Sequence, residues 1–389
     1  MRRIGAEERR ARLAGRHRLT SERRARDVVE TVRSVVALHS TDPAAVFLSA
    51  WARTEPFEPS HLEQALYEEH TLVRMLGMRR TLFVVPRELV PVVDAAAARA
   101  VAAQERRKLE RFVAESGVDG DPRAWIDAAS AAALEALEAR GSASTSELAE
   151  AHPLLAQRLR IGVGTRWETD AGAASRILLL LAAEGSIVRD RPRGTWVASH
   201  YRWVPIGRLG TVEPLEPERA RQELLRHWLA AFGPATETDI RWWTGWSARD
   251  ARAALGAVPR AVVDLDGAPG YVLADDLEPE PRAAPAPAFL PGLDPTVMGW
   301  KERDWYLGPH TGAIFDRNGN AGPTVWWDGR VVGGWAQRPD GEIVFRVLED
   351  VGADGRAGIA AEAGRLEEWL GDARVTPRFR TPLERELRG

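Results

Sequence analysis

The chain has 389 residues, with 53 basic and 56 acidic side chains for a net charge of −3, and it is 44% apolar and 28% charged. At roughly 150 residues per domain, this composition describes two to four folded units rather than a disordered tail. It contains no cysteine, which excludes a disulfide scaffold, a thiolate zinc finger, an iron–sulfur cluster and a cysteine nucleophile.

Residues 26–37 read as an amphipathic helix, with Val28, Val29, Val32, Val35 and Val36 at helical spacing. Residues 38–43 break it as a helix–helix turn. Asp42 caps the next helix, with Pro43 at its first position and Val46, Phe47, Ala50 and Trp51 on its apolar face. Ser60 and Glu63 have capping-box spacing and open a third helix. Residues 72–85 read as a strand pair, so the first stretch has a winged-helix outline. The outline recurs. Residues 124–140 are helical, Ser144 and Glu147 form a capping box, and residues 173–184 form a buried helix ended by Gly185. Residues 186–189 and 195–198 flank a basic hairpin tip at 190–194. A third copy runs from Pro217, with helices at 220–232, 237–243 and from Ser247 to 255, then strands at 261–265 and 270–274. Residues 279–291 are a Pro/Ala linker of polyproline character. Beyond it come short strands with turn signals, including a hairpin across Asp328-Gly329, then a helix over about 357–370 and a tail at 376–380.

The expected fold class is therefore α+β. It has three tandem winged-helix motifs at 1–118, 119–210 and 211–278, and a C-terminal β-rich domain at 279–389. The longest apolar run, 177–183, is far shorter than the ~20 residues of a membrane helix. The first residues, Met1-Arg2-Arg3, open no apolar leader. No membrane partner and a cytoplasmic location are expected.

Charge is unevenly spread. Residues 1–26 carry ten Arg and three Glu, residues 186–208 five Arg and one Asp, and residues 264–280 six acids and no base. A basic surface opposed by an acidic back is compatible with nucleic-acid binding. Only Lys108 and Lys301 are lysine. The arginine bias fits either a GC-rich genome or phosphate recognition. Nucleotide-binding glycine fingerprints, P-loops, zinc-protease helices and serine elbows are absent from the sequence, and the eight His show no metal-ligand spacing. No metal or other cofactor is expected.

The break at 38–43 places His39, Ser40, Thr41 and Asp42 between two apolar helices. Alternation would point His39 and Thr41 to one side. A neutral imidazole can take a proton from water, and a hydroxyl can orient that water. Asp42 reads first as a helix cap.

Several stretches resemble the AlkZ/YcaQ-like family of DNA glycosylases. They are residues 35–43 with 49–53, 78–86, 175–178 through 192–196, Tyr201-Arg202-Trp203, Leu293-Asp294-Pro295 with Gly299-Trp300, and 375–379. The resemblance implies three winged helices forming a concave channel and a C-terminal β-rich domain. It also implies release of alkylated purines, including bulky N7-alkyl adducts and interstrand crosslinks, from double-stranded DNA in a bacterial, nucleoid-associated setting. The family's catalytic Gln-x-Gln or Gln-x-Asp corresponds here to His39 and Thr41, with Asp42 a conceivable stabiliser of an oxocarbenium-like sugar. DNA contacts are expected from Arg74, Arg79 and Arg80 at the first hairpin and from Arg189, Arg191 and Arg193 on the second. His200, Tyr201 and Arg241 are further expected contacts, and the basic end Arg16-His17-Arg18 could also reach phosphates. Trp242 and Trp243 read as core. The expected state is a monomer. The competing readings are a non-catalytic winged-helix DNA-binding protein, such as a regulator or damage-binding factor, and a protein-binding scaffold.

Overall fold

The protein is seen in a computed structural model that describes residues 1–209 and 213–389. The expected domain boundary between 210 and 211 lies outside the described residues. The chain forms two compact units, one of residues 1–73, 83–87 and 221–389, the other of residues 74–82 and 88–220. Both mix helices with small sheets. Among the described residues no helix is long and apolar enough to cross a membrane.

In the first unit, the helix expected at 26–37 is shorter and spans Val28–Ser34. Leu38–His39 is not a helix–helix turn but a short strand, antiparallel to Leu82–Pro86, with Leu38 opposite Val84 and His39 opposite Phe83. Strand pairing outweighs helix continuation here because β-branched Val35 and Val36 are weak helix formers next to a waiting strand edge. Pro43–Trp51 follows, with Asp42 as its cap through Ala44 N at 3.1 Å. The third helix, Pro59–Tyr67, starts earlier than expected. Its capping box is Glu58 with His61, because Pro59 takes the first helical position.

The stretch from Pro217 agrees closely with expectation. Helices Pro217–Phe232, Glu237–Thr244 and Ala248–Ala257 precede an antiparallel hairpin of Arg260–Leu265 and Ala268–Leu273. The expected linker is cut short, since Pro287–Leu290 is the edge of a four-stranded antiparallel sheet with Thr324–Trp327, Arg330–Gln337 and Ile343–Val347. The apolar residues Ala288, Phe289 and Leu290 are buried, and that burial draws the end of the Pro/Ala stretch into the sheet. The turn at Asp328-Gly329 is present with both residues in the left-handed region (φ 49° and 74°), as a tight hairpin requires. A side chain at Gly329 would also lie 2.6 Å from the Arg10 carbonyl, so helix Ala6–Arg16 can approach only a glycine there. Helices Gly352–Leu370 and Pro382–Arg388 complete the unit.

In the second unit, Arg99–Glu115, Pro122–Arg140 and Ala173–Ala183 enclose a core of Leu109, Val113, Ile126, Leu137, Ile177 and Leu181. The Ser144/Glu147 capping box is formed as expected. The hairpin after Gly185 differs: its strands are Ile187–Pro192 and Tyr201–Pro205, not 186–189 and 195–198. Trp203 and Val204 bury their side chains, whereas Trp196 and Val197 stay half-exposed, so burial selects the later strand. An unexpected hairpin, Arg158–Ile161 with Thr169–Gly172, precedes the buried helix.

Candidate active site and nucleic-acid interface

The polar segment after helix Val28–Ser34 is tightly built. Val36 is buried and adopts φ 65°, a left-handed conformation unfavourable for a β-branched residue. Such strain persists only where surrounding structure imposes it, and it concentrates at functional sites. Three residues on, His39 is 5% exposed, with its ring 4.6 Å from that of Phe83. Ser40 is also buried, so alternation does not separate an open polar side from a closed one. Thr41 and Asp42 are half-buried. Residues 375–379 close over this end of the segment. The Arg378 backbone N–H donates to Asp42 Oδ2 at 3.0 Å, and its guanidinium reaches the Thr41 carbonyl at 3.4 Å. Burial pushes the Asp42 carboxyl above its usual range, against the pull of the Arg378 and Ala44 N–H groups. A small pocket opens beside Asp42, walled by Leu48, Trp335, Gln337 and Pro377 among others. His39 is not among its walls.

A buried polar chain ties two of the resembling stretches together. Arg53 and Asp294 are fully buried and paired in fork geometry at 2.6 and 2.9 Å. Ser49 Oγ donates to Asp294 at 2.6 Å, and Arg53 donates to Thr296 Oγ1 at 2.7 Å. Burial alone would push the Asp294 carboxyl up, but the guanidinium, the Ser49 hydroxyl and the Thr296 N–H outweigh it and hold it below the usual carboxylate range. His17 continues the chain, with Nδ1 2.8 Å from Thr296 Oγ1 and Nε2 3.2 Å from the Ala231 carbonyl. A carbonyl only accepts, so Nε2 carries the proton and Nδ1 accepts from the threonine hydroxyl.

The basic N-terminus is not a free arm. Arg3 pairs with Asp266, Arg12 and Arg16 with Asp276, and Arg16 and Arg23 approach Glu280. Asp266, Asp276 and Glu280 of the acidic run thus pair with four arginines of the basic run within one unit. The expected reach of Arg16-His17-Arg18 towards phosphates is corrected, since Arg16 is ion-paired and His17 is buried between Phe232 and Trp300.

The remaining candidates divide by exposure. Arg74 is buried 4.6 Å over the Tyr201 ring, and Arg189 stacks 5.2 Å from Tyr201 and 5.3 Å from Trp203. Arg80 pairs with Glu105 at 2.7 Å. Arg193 pairs with Glu147 at 2.6 Å, and Arg202 also reaches that carboxylate. Glu147 is held down to about 2, first by the Ser144 N–H and then by Arg202. Arg191, His200 and Arg241 are exposed, and Arg79 is half-exposed at φ 52°. Trp243 packs on Trp228 and Phe232 as core, but Trp242 is half-exposed beneath Arg303.

The sequence reading missed Phe83 as the packing partner of His39, Arg378 over the loop, and the Arg53–Asp294 pair. All three lay inside the resembling stretches, but nothing local in them reveals partners far away in the chain.

The fold is shared with a solved structure. The solved Streptomyces sahachiroi DNA glycosylase AlkZ matches with a TM-score of 0.73 at 20% identity, over 97% of this chain and 99% of that one. A curated Streptomyces sahachiroi protein described as "Interstrand DNA cross-link repair glycosylase" is 30% identical over 173 residues. That match covers 42% of this chain and 46% of the relative, so the chain spans less than half of it. A family model described as "DNA glycosylase AlkZ-like" matches residues 32–369. The chain belongs to the AlkZ-like DNA glycosylase family.

Proposed function

We propose that this protein is a monofunctional DNA N-glycosylase that releases alkylated purines, chiefly bulky N7 adducts, from double-stranded DNA as a monomer. The observation that carries the reading is the family match over residues 32–369, which spans the strained segment holding His39, Thr41 and Asp42. In this reading three winged helices, at 1–118, 119–210 and 211–278, form a concave DNA channel, and residues 279–389 close the catalytic loop from behind.

An N7-alkylated purine is cationic, so it departs without an acid. The C1′–N9 bond breaks, its electron pair neutralises the purine, and a water oxygen bonds to C1′. The protein's task is to hold that water and the positive sugar. Thr41 can donate and accept one hydrogen bond each to orient the water. In this reading His39 is the group that takes the released proton. Asp42 faces the developing charge while keeping its capping bonds. Arg79, Arg80, Arg189, Arg191, Arg193, His200 and Arg241 supply the backbone contacts, and Arg74 and Tyr201 support them from beneath.

The test is base release from duplexes carrying a panel of N7-purine adducts. His39→Ala and Thr41→Ala should each lose on the order of 100-fold in rate while DNA affinity holds. The burial of His39 against Phe83 favours a second reading, a non-catalytic DNA-binding protein. Salt-sensitive DNA binding with no base released from any adduct would establish that alternative.

A further inference from the structure

The unexpected hairpin ends in an unusual tip. Trp167 is 70% exposed, the most exposed large apolar side chain after Met1 among the described residues. An indole in water is costly, and most of the fifteen tryptophans avoid it. The tip that presents it is a built turn. Thr165 N–H and its hydroxyl both donate to the Gly162 carbonyl, at 2.9 and 2.7 Å, and Trp167 N–H donates to Thr165 Oγ1 at 3.2 Å. Glu168 bridges Gly164 N–H at 2.8 Å and the Arg160 guanidinium at 2.5 Å. Gly162 and Gly164 take φ 70° and 75°, which the turn demands. Arg166 lies 4.6 Å over one face of the indole.

A rigid turn, one outward aromatic and a guanidinium on its face together form a stacking platform with a cationic rim. Flat π-faces recognise nucleobases without regard to sequence, and a cation alongside suits the phosphate that accompanies each base. The hairpin 158–172 carries Arg158, Arg160 and Arg166 against Glu168 and Asp170, and the same unit presents the exposed Arg191 and Arg193.

We propose that Trp167 is a base-stacking residue that receives an unpaired nucleobase of DNA, one left without its partner or displaced from the helix at a lesion. This rests on the reading of the protein as a DNA-binding glycosylase. It adds a recognition element that acts on the DNA structure around the damage rather than on the glycosidic bond.

The experiment uses the full chain and two duplexes, one intact and one with a stable tetrahydrofuran abasic site opposite 2-aminopurine. Wild-type protein should prefer the abasic duplex and change the 2-aminopurine fluorescence on binding. Trp167→Ala should weaken abasic-duplex binding by roughly five- to 150-fold, the range for loss of one stacked base, and abolish the fluorescence change. Trp167→Phe should restore most of both, and affinity for the intact duplex should stay within about twofold. An alanine variant that binds the abasic duplex and changes its fluorescence like wild type would overturn the proposal while leaving the glycosylase reading intact. So would a wild-type dimer dissociated by Trp167→Ala with DNA binding unchanged. Wild-type protein with no salt-sensitive affinity for either duplex would defeat the parent reading and this inference together.

Discussion

His17 is a histidine whose charge the fold forbids. Burial drives its pKa down to about 3, and the Arg53 cation adds to the effect. The unfolded chain takes up the proton near the ordinary value of about 6.5, so between there and pH 3 the unfolded state binds one proton more. Stability is therefore full above pH 6.5 and falls as pH drops. This single group removes about 2 kcal/mol by pH 5. Urea unfolding of wild type and His17→Gln across pH 5–7 checks this, and the variant should lose up to one proton's worth of slope. Next in the chain, Arg53 and Asp294 are a buried pair, and removing one partner strands the other charge. Asp294→Ala and Arg53→Ala should each cost about 3–5 kcal/mol, read as a shift of the denaturant midpoint. The Arg53→Met, Asp294→Leu double variant should recover much of that loss, because neither charge is then left buried.

At the scale of elements, caps and close approaches dominate. Helix Glu237–Thr244 starts with Thr236 and Asp239 in reciprocal bonds, and the second oxygen of buried Asp239 accepts from Lys301 and Glu302 N–H at 2.9 and 2.8 Å. One carboxylate thus begins a helix and anchors a loop sixty residues away. Asp239→Ala should cost about 2 kcal/mol or more, since at least two donors lose their acceptor, and thermal unfolding would show it. Gly299 illustrates close approach. A side-chain carbon there would lie 2.6 Å from the Phe232 ring. Gly299→Ala should destabilise by about 1–3 kcal/mol, measured by the same melt. The capping signals at Asp42 and Ser144 were legible in sequence because they are local, each residue bonding within three positions. The strand at Leu38–His39 and the late strand Tyr201–Pro205 were not, because a partner strand and a buried face selected them.

Across the whole molecule, net charge conceals pairing. Arg3, Arg12, Arg16 and Arg23 of the most basic stretch, residues 1–26, are tied to the most acidic one, whereas the hairpin of Ile187–Pro192 and Tyr201–Pro205 keeps Arg191 exposed. Under the glycosylase reading, the salt dependence of DNA binding should come from the second group. Arg191→Ala should lower the slope of log K against log salt by up to about 0.9, and Arg193→Ala by less, because Arg193 is paired with Glu147. Arg3→Ala and Arg12→Ala should leave it unchanged, and Arg12→Ala should instead lower the melting temperature. Titrations at several salt concentrations separate the two groups.

The family resemblance, the mixed helix-and-strand composition and the helix caps at Asp42 and Ser144 could be read from the chain alone, because they depend on short motifs and on bonds within a few residues. Folding in three dimensions decided which charges are spent on one another, that His39 lies against Phe83, and that Arg378 closes over Thr41 and Asp42. Those outcomes join residues far apart in the chain, and the burial and distance that govern ion pairing and ring packing exist only once the core has formed.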